Sequence, residues 1–330
     1  MKIFTKLYKL LLIQMCLQMN AHMLKAQSFE ILFWNIENFF DPYNDLTTND
    51  DEFTSFGEKH WNKKRFTQKR NDIAKSLILL TKGDLPEILA FSEVENWYVL
   101  NELNKNTPLS NAGYTIIHRD SPDPRGIDVA LLYKRERFRI LKIKYYNPLA
   151  NKEQGATRLI LYAKGVIDNL DTLHLMVNHW PSKLGGELKS AKRREIVASL
   201  VKQICDSIFI ENELANIIIM GDLNDTPKSN FLKGFDKFFN PFENEREIGT
   251  IKFSGKWEVI DQFLISKNLL DRSEPISCKE DSFKILYDES LLEIDKEFYG
   301  YKPKRAYKGP RYYGGISDHL PIIMSINKNY

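Results

Sequence analysis

The 330-residue chain is poor in the features that would assign it at once to a special class. It has only three cysteines, Cys16, Cys205 and Cys278, too few for a disulfide framework or a repeated Cys/His metal module. It has no internal repeat, no low-complexity linker and no apolar stretch of the roughly 20 residues needed to span a bilayer. It also lacks a strong charge of either sign: 47 basic and 44 acidic residues leave a formal +3. Even that excess sits at the beginning. Lys2, Lys6 and Lys9 precede the apolar run 10–17, and Ala26 stands before Gln27 and Ser28. This is the pattern of a secretory signal peptide over 1–26, and the expected location is secreted or periplasmic. Without Lys2, Lys6, Lys9 and Lys25, 43 basic residues face 44 acidic ones. A whole-chain basic footprint for nucleic acid is thereby excluded, while local patches are not. Export permits a Cys205–Cys278 disulfide without indicating one, and buried free thiols are an equal expectation.

What is present is an ordinary globular composition, 43% hydrophobic and 28% charged. Short apolar, β-branched runs recur at 29–36, 88–94, 114–118, 128–133, 138–145, 158–167, 172–178, 216–220, 258–265 and 320–326. Their length and content predict buried strands. Helical spacing appears at 66–80, through Phe66, Ile73, Leu77 and Leu80. It recurs at 188–204, through Ile196, Val197, Leu200, Val201 and Ile204, and both segments fit amphipathic helices covering a sheet. Many strands and few helices predict an α/β sandwich of packed sheets with helices outside, in one domain over 27–330. The stretch 271–315 is the least regular. Its Lys302, Lys304, Arg305, Lys308 and Arg311 alternate with tyrosines; it reads as a solvated loop first and as a border of a functional site second.

Polar residues gather where apolar runs stop. Gly221-Asp222-Leu223-Asn224-Asp225 closes the run 217–220. Asp222 there can take a proton from water and Asn224 can donate to an anionic oxygen, although Asp-x-Asn is also common turn chemistry. Glu93 ends 88–92 as a candidate ligand for a hard cation, which favours carboxylate oxygens; Glu95 reads as a surface ion-pair partner. Ser317-Asp318-His319 precedes the last strand. Asp261 interrupts an apolar strand, and a buried carboxylate requires a partner, for which His319 is the candidate. Asn35 and His179 each close an apolar run, and either alone would pass as a satisfied structural polar group. Arg125 and Arg158 are possible phosphate contacts or ordinary ion-pair partners.

Taken in order, Asn35, Glu93, His179, Asp222-x-Asn224, Asp261 and Asp318-His319 resemble the endonuclease/exonuclease/phosphatase family across nearly all of residues 29–326. The resemblance implies a four-layer fold, with two packed, mostly antiparallel β-sheets flanked by helices. It also implies Mg²⁺, or Mn²⁺ or Ca²⁺, at Glu93 with Asn35 and Asp318 nearby. By the same resemblance Asp222 orients or deprotonates the attacking water, Asn224 contacts phosphate, and His319 is oriented by Asp261. His179 matches the histidine of the deoxyribonuclease and sphingomyelinase branches. The expected activity is metal-assisted hydrolysis of a phosphate ester, most readily an endonuclease-like phosphodiesterase with DNA as a possible substrate. No obligate protein partner is evident. Sphingomyelin or inositol phosphates are alternative substrates, but no aromatic hairpin of the kind a membrane-binding sphingomyelinase would use stands out in the sequence. A binding module that kept the fold but not the chemistry, and a structural envelope protein, are the rival classes.

Overall fold

The computed structural model describes residues 28–150, 155–183, 186–244 and 247–329; the expected signal segment lies outside the described residues. The first sheet contains β1 (Ser28–Phe39), β2 (Ile88–Val94), β3 (Tyr114–His118) and β4 (Asp128–Lys134). The second begins with β5 (Phe138–Tyr146), β6 (Ile160–Ile167), β7 (Asp171–His179) and β8 (Asn216–Asp222), and adds β9 (Phe238–Phe239) and β10 (Asp261–Ser266). The chain then returns to the first sheet through β11 (Ile276–Cys278), β12 (Lys284–Ile285) and β13 (Ile322–Lys328). The orders are β11-β13-β1-β2-β4-β3, with β12 also on β13, and β5-β6-β7-β8-β10-β9. Pairing is antiparallel except for β1/β2 and β7/β8. Each parallel pair is joined through a helix, as a parallel crossover requires: α1 (Lys63–Leu80) follows β1 and α3 (Glu187–Glu211) follows β7, while the short α2 (Trp97–Lys105) follows β2.

Alternation along the strands explains the layers. In β1, Phe29, Ile31 and Phe33 enter the core shared with Leu173, Leu175, Val177, Ile218 and Met220 of the other sheet. Leu32 and Trp34 point the opposite way and meet Phe66, Ile73 and Leu77 of α1 and Val99, Leu100 and Leu103 of α2. In β8, Ile217 and Ile219 face Val197, Val201 and Ile204 of α3. The period-2 pattern thus sends every second residue to the inter-sheet core and the rest to a helix. The result is helix, sheet, sheet, helix, as the sequence led one to expect.

The helices begin where side chains can bind their free amides. Asn62 accepts from Lys64 N and Arg65 N, and Asn96 accepts from Val99 N; such caps contribute about 1 kcal/mol each. The nine-residue α2 was not evident from periodicity, being barely two turns long. Cys205 and Cys278 are both buried and free. Among the described residues no helix is long and apolar enough to cross a membrane.

Two expectations need correction. Glu95 is not a surface ion-pair partner: it is buried, and its Oε2 accepts from Asp41 N at 2.6 Å. Burial, reinforced by the neighbouring Asp41 carboxylate, pushes it up to about 9. The irregular segment also contains a hairpin, Leu292–Ile294 with Tyr301–Pro303, whose turn exposes Phe298 and Tyr299. Lys252 of a second short hairpin donates to Tyr299 O. An aromatic tip is therefore present; three-residue strands separated by charged residues gave it no legible pattern.

Candidate active site

Both parallel pairs end on the same side of the sandwich. Residues at the carboxyl ends of β1, β2, β7 and β8 are thereby brought to one edge, the usual location of sites in sheets built on parallel crossovers. In the second sheet the register is direct: His179 pairs with Asp222, and Asp222 with Asp261. Three adjacent strands therefore carry His, Asp and Asp side by side on one rung. Gly221 makes the close pairing of β7 and β8 feasible. Its φ is +149°, and a Cβ there would meet Asn178 O at 2.1 Å.

In the first sheet both central strands are irregular at the site. The β1/β2 register shifts between Asn35 and Phe39, and the β2/β4 register between Ser92 and Val94. Glu37, Asn38 and Glu93 all adopt positive φ. Bulges of this kind re-aim side chains, and Glu93 is turned so that Oε2 accepts from Asn38 N at 2.9 Å.

The segment before β13 completes the group. Ser317 Oγ donates to Asn35 O at 2.6 Å and accepts from His319 N at 2.9 Å, while Trp34 Nε1 donates to His319 O at 3.0 Å. Gly315 lets this segment pass beneath the preceding loop, since a Cβ would meet Lys304 O at 1.9 Å.

Asp222 is the centre of the arrangement. Its Oδ2 accepts from Asn35 Nδ2 at 3.0 Å and lies 3.5 Å from His179 Nε2 and 4.0 Å from His319 Nε2. His319 Nδ1 is 2.8 Å from Asp261 Oδ2, the pair the sequence suggested. Burial, with the Asp261 carboxylate adding to it, raises Asp222 to about 7; the His319 charge and the Asn224 amide oppose the rise. Burial works against a charged His319, yet the carboxylates of Asp261, Asp222 and Asp318 outweigh it and hold the imidazole well above its ordinary range. His179 goes the other way. Burial, then the charges of Arg158, Arg125 and His319, keep it neutral, and its Nδ1 is buried without a hydrogen-bond partner among the described residues.

Glu93 and Asp318 stand on the other side of this centre. Asn35 Nδ2 donates to Glu93 Oε1 at 3.2 Å, and Asn35 Oδ1 accepts from Glu37 N at 3.0 Å. Asn35 thus bridges Glu93 and Asp222 through its Nδ2, while its oxygen accepts one backbone amide. Asn224 Nδ2 donates to Trp180 O at 3.0 Å and its backbone N to Asp222 Oδ1 at 2.9 Å. Here it pins the turn. Arg158 is not at the surface. Its buried guanidinium binds Asp123 Oδ2 at 3.1 Å and the carbonyls of His179 and Trp180, holding the end of β7 in place. Arg125 is half-exposed beside Asp123.

Two residues of the site, Glu37 and Lys69, had no role assigned from the sequence, and a third, Arg305, comes from the basic stretch read as a border of the site. Glu37 is buried and accepts from Ala306 N at 2.9 Å; burial and Asp318 raise it to about 7. Lys69 of α1 is buried and donates to Glu37 O. Burial lowers it to about 8 against the pull of Glu37, Glu93 and Asp318. A lysine three residues after Phe66 and four before Ile73 lies on the apolar face of its helix, and that spacing could have exposed it. Arg305, from the irregular loop, binds Glu37 and lies 3.1 Å from Asp318 Oδ2.

Glu37, Glu93, Asp222, Asp261 and Asp318 thus face the cations Lys69 and Arg305 and the imidazole of His319. An excess of carboxylate, all of it oxygen donors, suits a hard divalent cation, for which Glu93 and Asp318 are the expected ligands. Asp222, Asp261 and His319 also offer mutually close ligand atoms. His319 Nδ1 is already engaged by Asp261, so this second grouping is a hydrogen-bonded dyad beside a carboxylate.

The profile of the Endonuclease/Exonuclease/phosphatase family matches residues 30–328. No curated protein matches the sequence significantly. Among solved structures, a humanized D. rerio TDP2 with 14 mutations is 12% identical, covering 92% of this chain and 100% of its own, at a TM-score of 0.56. D. rerio TDP2 complexed with a single-strand DNA product is 13% identical over 91% and 99%, at 0.55. The mannosyl-6-phosphatase of Bacteroides thetaiotaomicron is 15% identical over 90% and 99%, also at 0.55. At these identities the likeness is one of fold. With the profile spanning almost the whole chain, the protein belongs to the endonuclease/exonuclease/phosphatase family.

Proposed function

We propose that the chain is an exported, Mg²⁺-dependent hydrolase of phosphate esters, most readily an endonuclease-like phosphodiesterase. The observation that carries this reading is the position of Asp222 Oδ2 within 4.0 Å of both imidazoles, with Asp261 behind His319. One carboxylate between two histidines of opposite protonation allows proton removal from water on one side and proton donation on the other.

In this mechanism Asp222 orients the attacking water and takes its proton; a group raised to about 7 is matched to that task near neutral pH. His319, held as imidazolium by Asp261, donates to the phosphate oxygens as charge builds on them. His179, kept neutral, donates a hydrogen bond to the same phosphate from the other side. Glu93 and Asp318 would hold Mg²⁺, which would supply positive charge toward the phosphoryl oxygens. Asn35 keeps both carboxylates aimed.

Export rests on the charged and apolar pattern of residues 1–26. A sugar-phosphate monoesterase is the second reading, supported by the similar fold of the mannosyl-6-phosphatase.

The test is hydrolysis by the purified chain with Mg²⁺ and with EDTA, beside His319→Ala. Substrates would be plasmid DNA, bis-p-nitrophenyl phosphate, sugar phosphates, sphingomyelin and inositol phosphates. Metal-dependent turnover that disappears in the variant supports the proposal and names the substrate. A well-folded protein inert on the whole panel favours a binding role.

A further inference from the structure

We infer that Arg305 is a substrate-contacting residue that reads a second negative charge, at or beside the scissile phosphate. This inference rests on the phosphoesterase reading above and names a determinant of its substrate class.

The guanidinium is oriented before any substrate arrives. Nε and Nη2 both donate to Glu37 Oε1, at 3.2 and 3.1 Å, and Ala306 N holds the other Glu37 oxygen at 2.9 Å. Glu37 is itself buried, so one edge of the fork is fixed to a rigid support. Nη2 also reaches Asp318 Oδ2 at 3.1 Å, and the opposite oxygen of Asp318 lies 3.9 Å from His319 Nε2. Arg305 therefore stands one carboxylate away from the nitrogen that meets the phosphate.

Its remaining donor, Nη1, has no partner among the described residues, and the side chain is 45% exposed. The other cation on this face, Lys69, is buried and committed to the Glu37 carbonyl. Of the two cations paired with Glu37, Arg305 is thus the one exposed to solvent. Balancing Glu37 alone would not need an exposed, planar fork; a fork with one edge anchored and one edge open suits phosphate oxygens. The second charge has two possible sources: the dianion of a phosphomonoester, or the neighbouring phosphate of a strand.

The test compares wild type, Arg305→Gln, Arg305→Lys and the pair Glu37→Gln/Arg305→Gln. Three substrates separate the sources. Bis-p-nitrophenyl phosphate carries one negative charge, p-nitrophenyl phosphate carries two on one phosphorus, and 5′-phosphothymidine 3′-p-nitrophenyl phosphate carries its extra charge on a separate phosphate. Loss of a charge-assisted hydrogen bond corresponds to about a 10- to 100-fold change. Arg305→Gln should raise KM by that factor for one of the two more highly charged probes, with kcat within a few-fold and bis-p-nitrophenyl phosphate much less affected. Arg305→Lys should recover part of the loss. The paired variant, which removes the ion pair from both sides, should restore thermal stability but not KM.

An equal effect on all three substrates, or a variant that only melts earlier with KM unchanged, would overturn the inference. If wild type turns over none of them, calorimetric binding of inorganic phosphate decides independently of activity. Weaker binding by Arg305→Gln than by wild type upholds the role of Arg305 even as the hydrolase reading fails; equal binding overturns both.

Discussion

Replacing Asp222 by Asn should abolish turnover and yet stabilise the fold, in a manner that depends on pH. The folded protein holds Asp222 near 7, above its ordinary 3.8, because the carboxylate is buried beside Asp261. The direction follows from linkage. Folding raises the affinity for the proton, so native stability is greatest when Asp222 is protonated in both states and declines as pH rises from about 4 to about 7. Above 7 the displacement from 3.8 corresponds to a penalty of about 4 kcal/mol, at about 1.4 kcal/mol per pH unit. That is an upper bound, since Asn can lose hydrogen bonds made by Asn35 Nδ2 and Asn224 N, each contributing about 1 kcal/mol. Asp222→Asn should therefore gain about 1–3 kcal/mol at pH 8 in EDTA, and should lose about 1–2 kcal/mol at pH 4, where only the hydrogen bonds differ. Mg²⁺ should narrow the difference at pH 8, because a cation offsets the same charge. The assay is urea unfolding at both pH values, with slopes compared to confirm that the unfolded state is unchanged. In parallel, kcat should fall about 10²-fold or more. A gain of equal size at both pH values, or a loss at pH 8, would refute the reasoning that places an uncompensated carboxylate at this rung.

Two further outcomes follow from the same geometry. Asp261→Asn removes the carboxylate 2.8 Å from His319 Nδ1, so the imidazole should hold its proton less tightly. The alkaline limb of the kcat/KM profile should move to lower pH and kcat should drop about 10²-fold or more; an unmoved limb would mean that another group carries that ionisation. Arg158→Ala leaves the buried Asp123 with only the half-exposed Arg125 as its counter-charge and frees the carbonyls of His179 and Trp180. It should cost about 3–5 kcal/mol in urea unfolding, with catalysis impaired through the displaced end of β7; a loss below about 1 kcal/mol would show the network to be dispensable.

How much of this was legible beforehand depended on the range of the interaction. The strands could be read because alternation of apolar residues is a local consequence of backbone period, as in 217–220 or 29–34. Helix α1 was equally plain, but its start lay three residues earlier, where the Asn62 side chain rather than an apolar residue decides the boundary. Asp222, Asp261, His179 and His319 drew notice as polar residues that end or interrupt buried runs. The mutual distances of the first three depend on the β7/β8 and β8/β10 registers, which join residues about forty apart in the chain, and His319 comes from a segment farther still.

The amino-acid sequence by itself determined the layers, the element types and the identity of the polar residues at strand ends, because period, propensity and turn chemistry act over a few neighbours. Tertiary structure alone decided which groups are charged and which are occupied. It turned the Asn35 amide toward two carboxylates, took Asn224 and Arg158 into backbone support, and buried Glu95. It also brought Glu37, Lys69 and Arg305, from a strand, a helix and a distant loop, to the same face. Burial and Coulomb interaction depend on distance in space, and distance in space is set only when the sheets close upon each other.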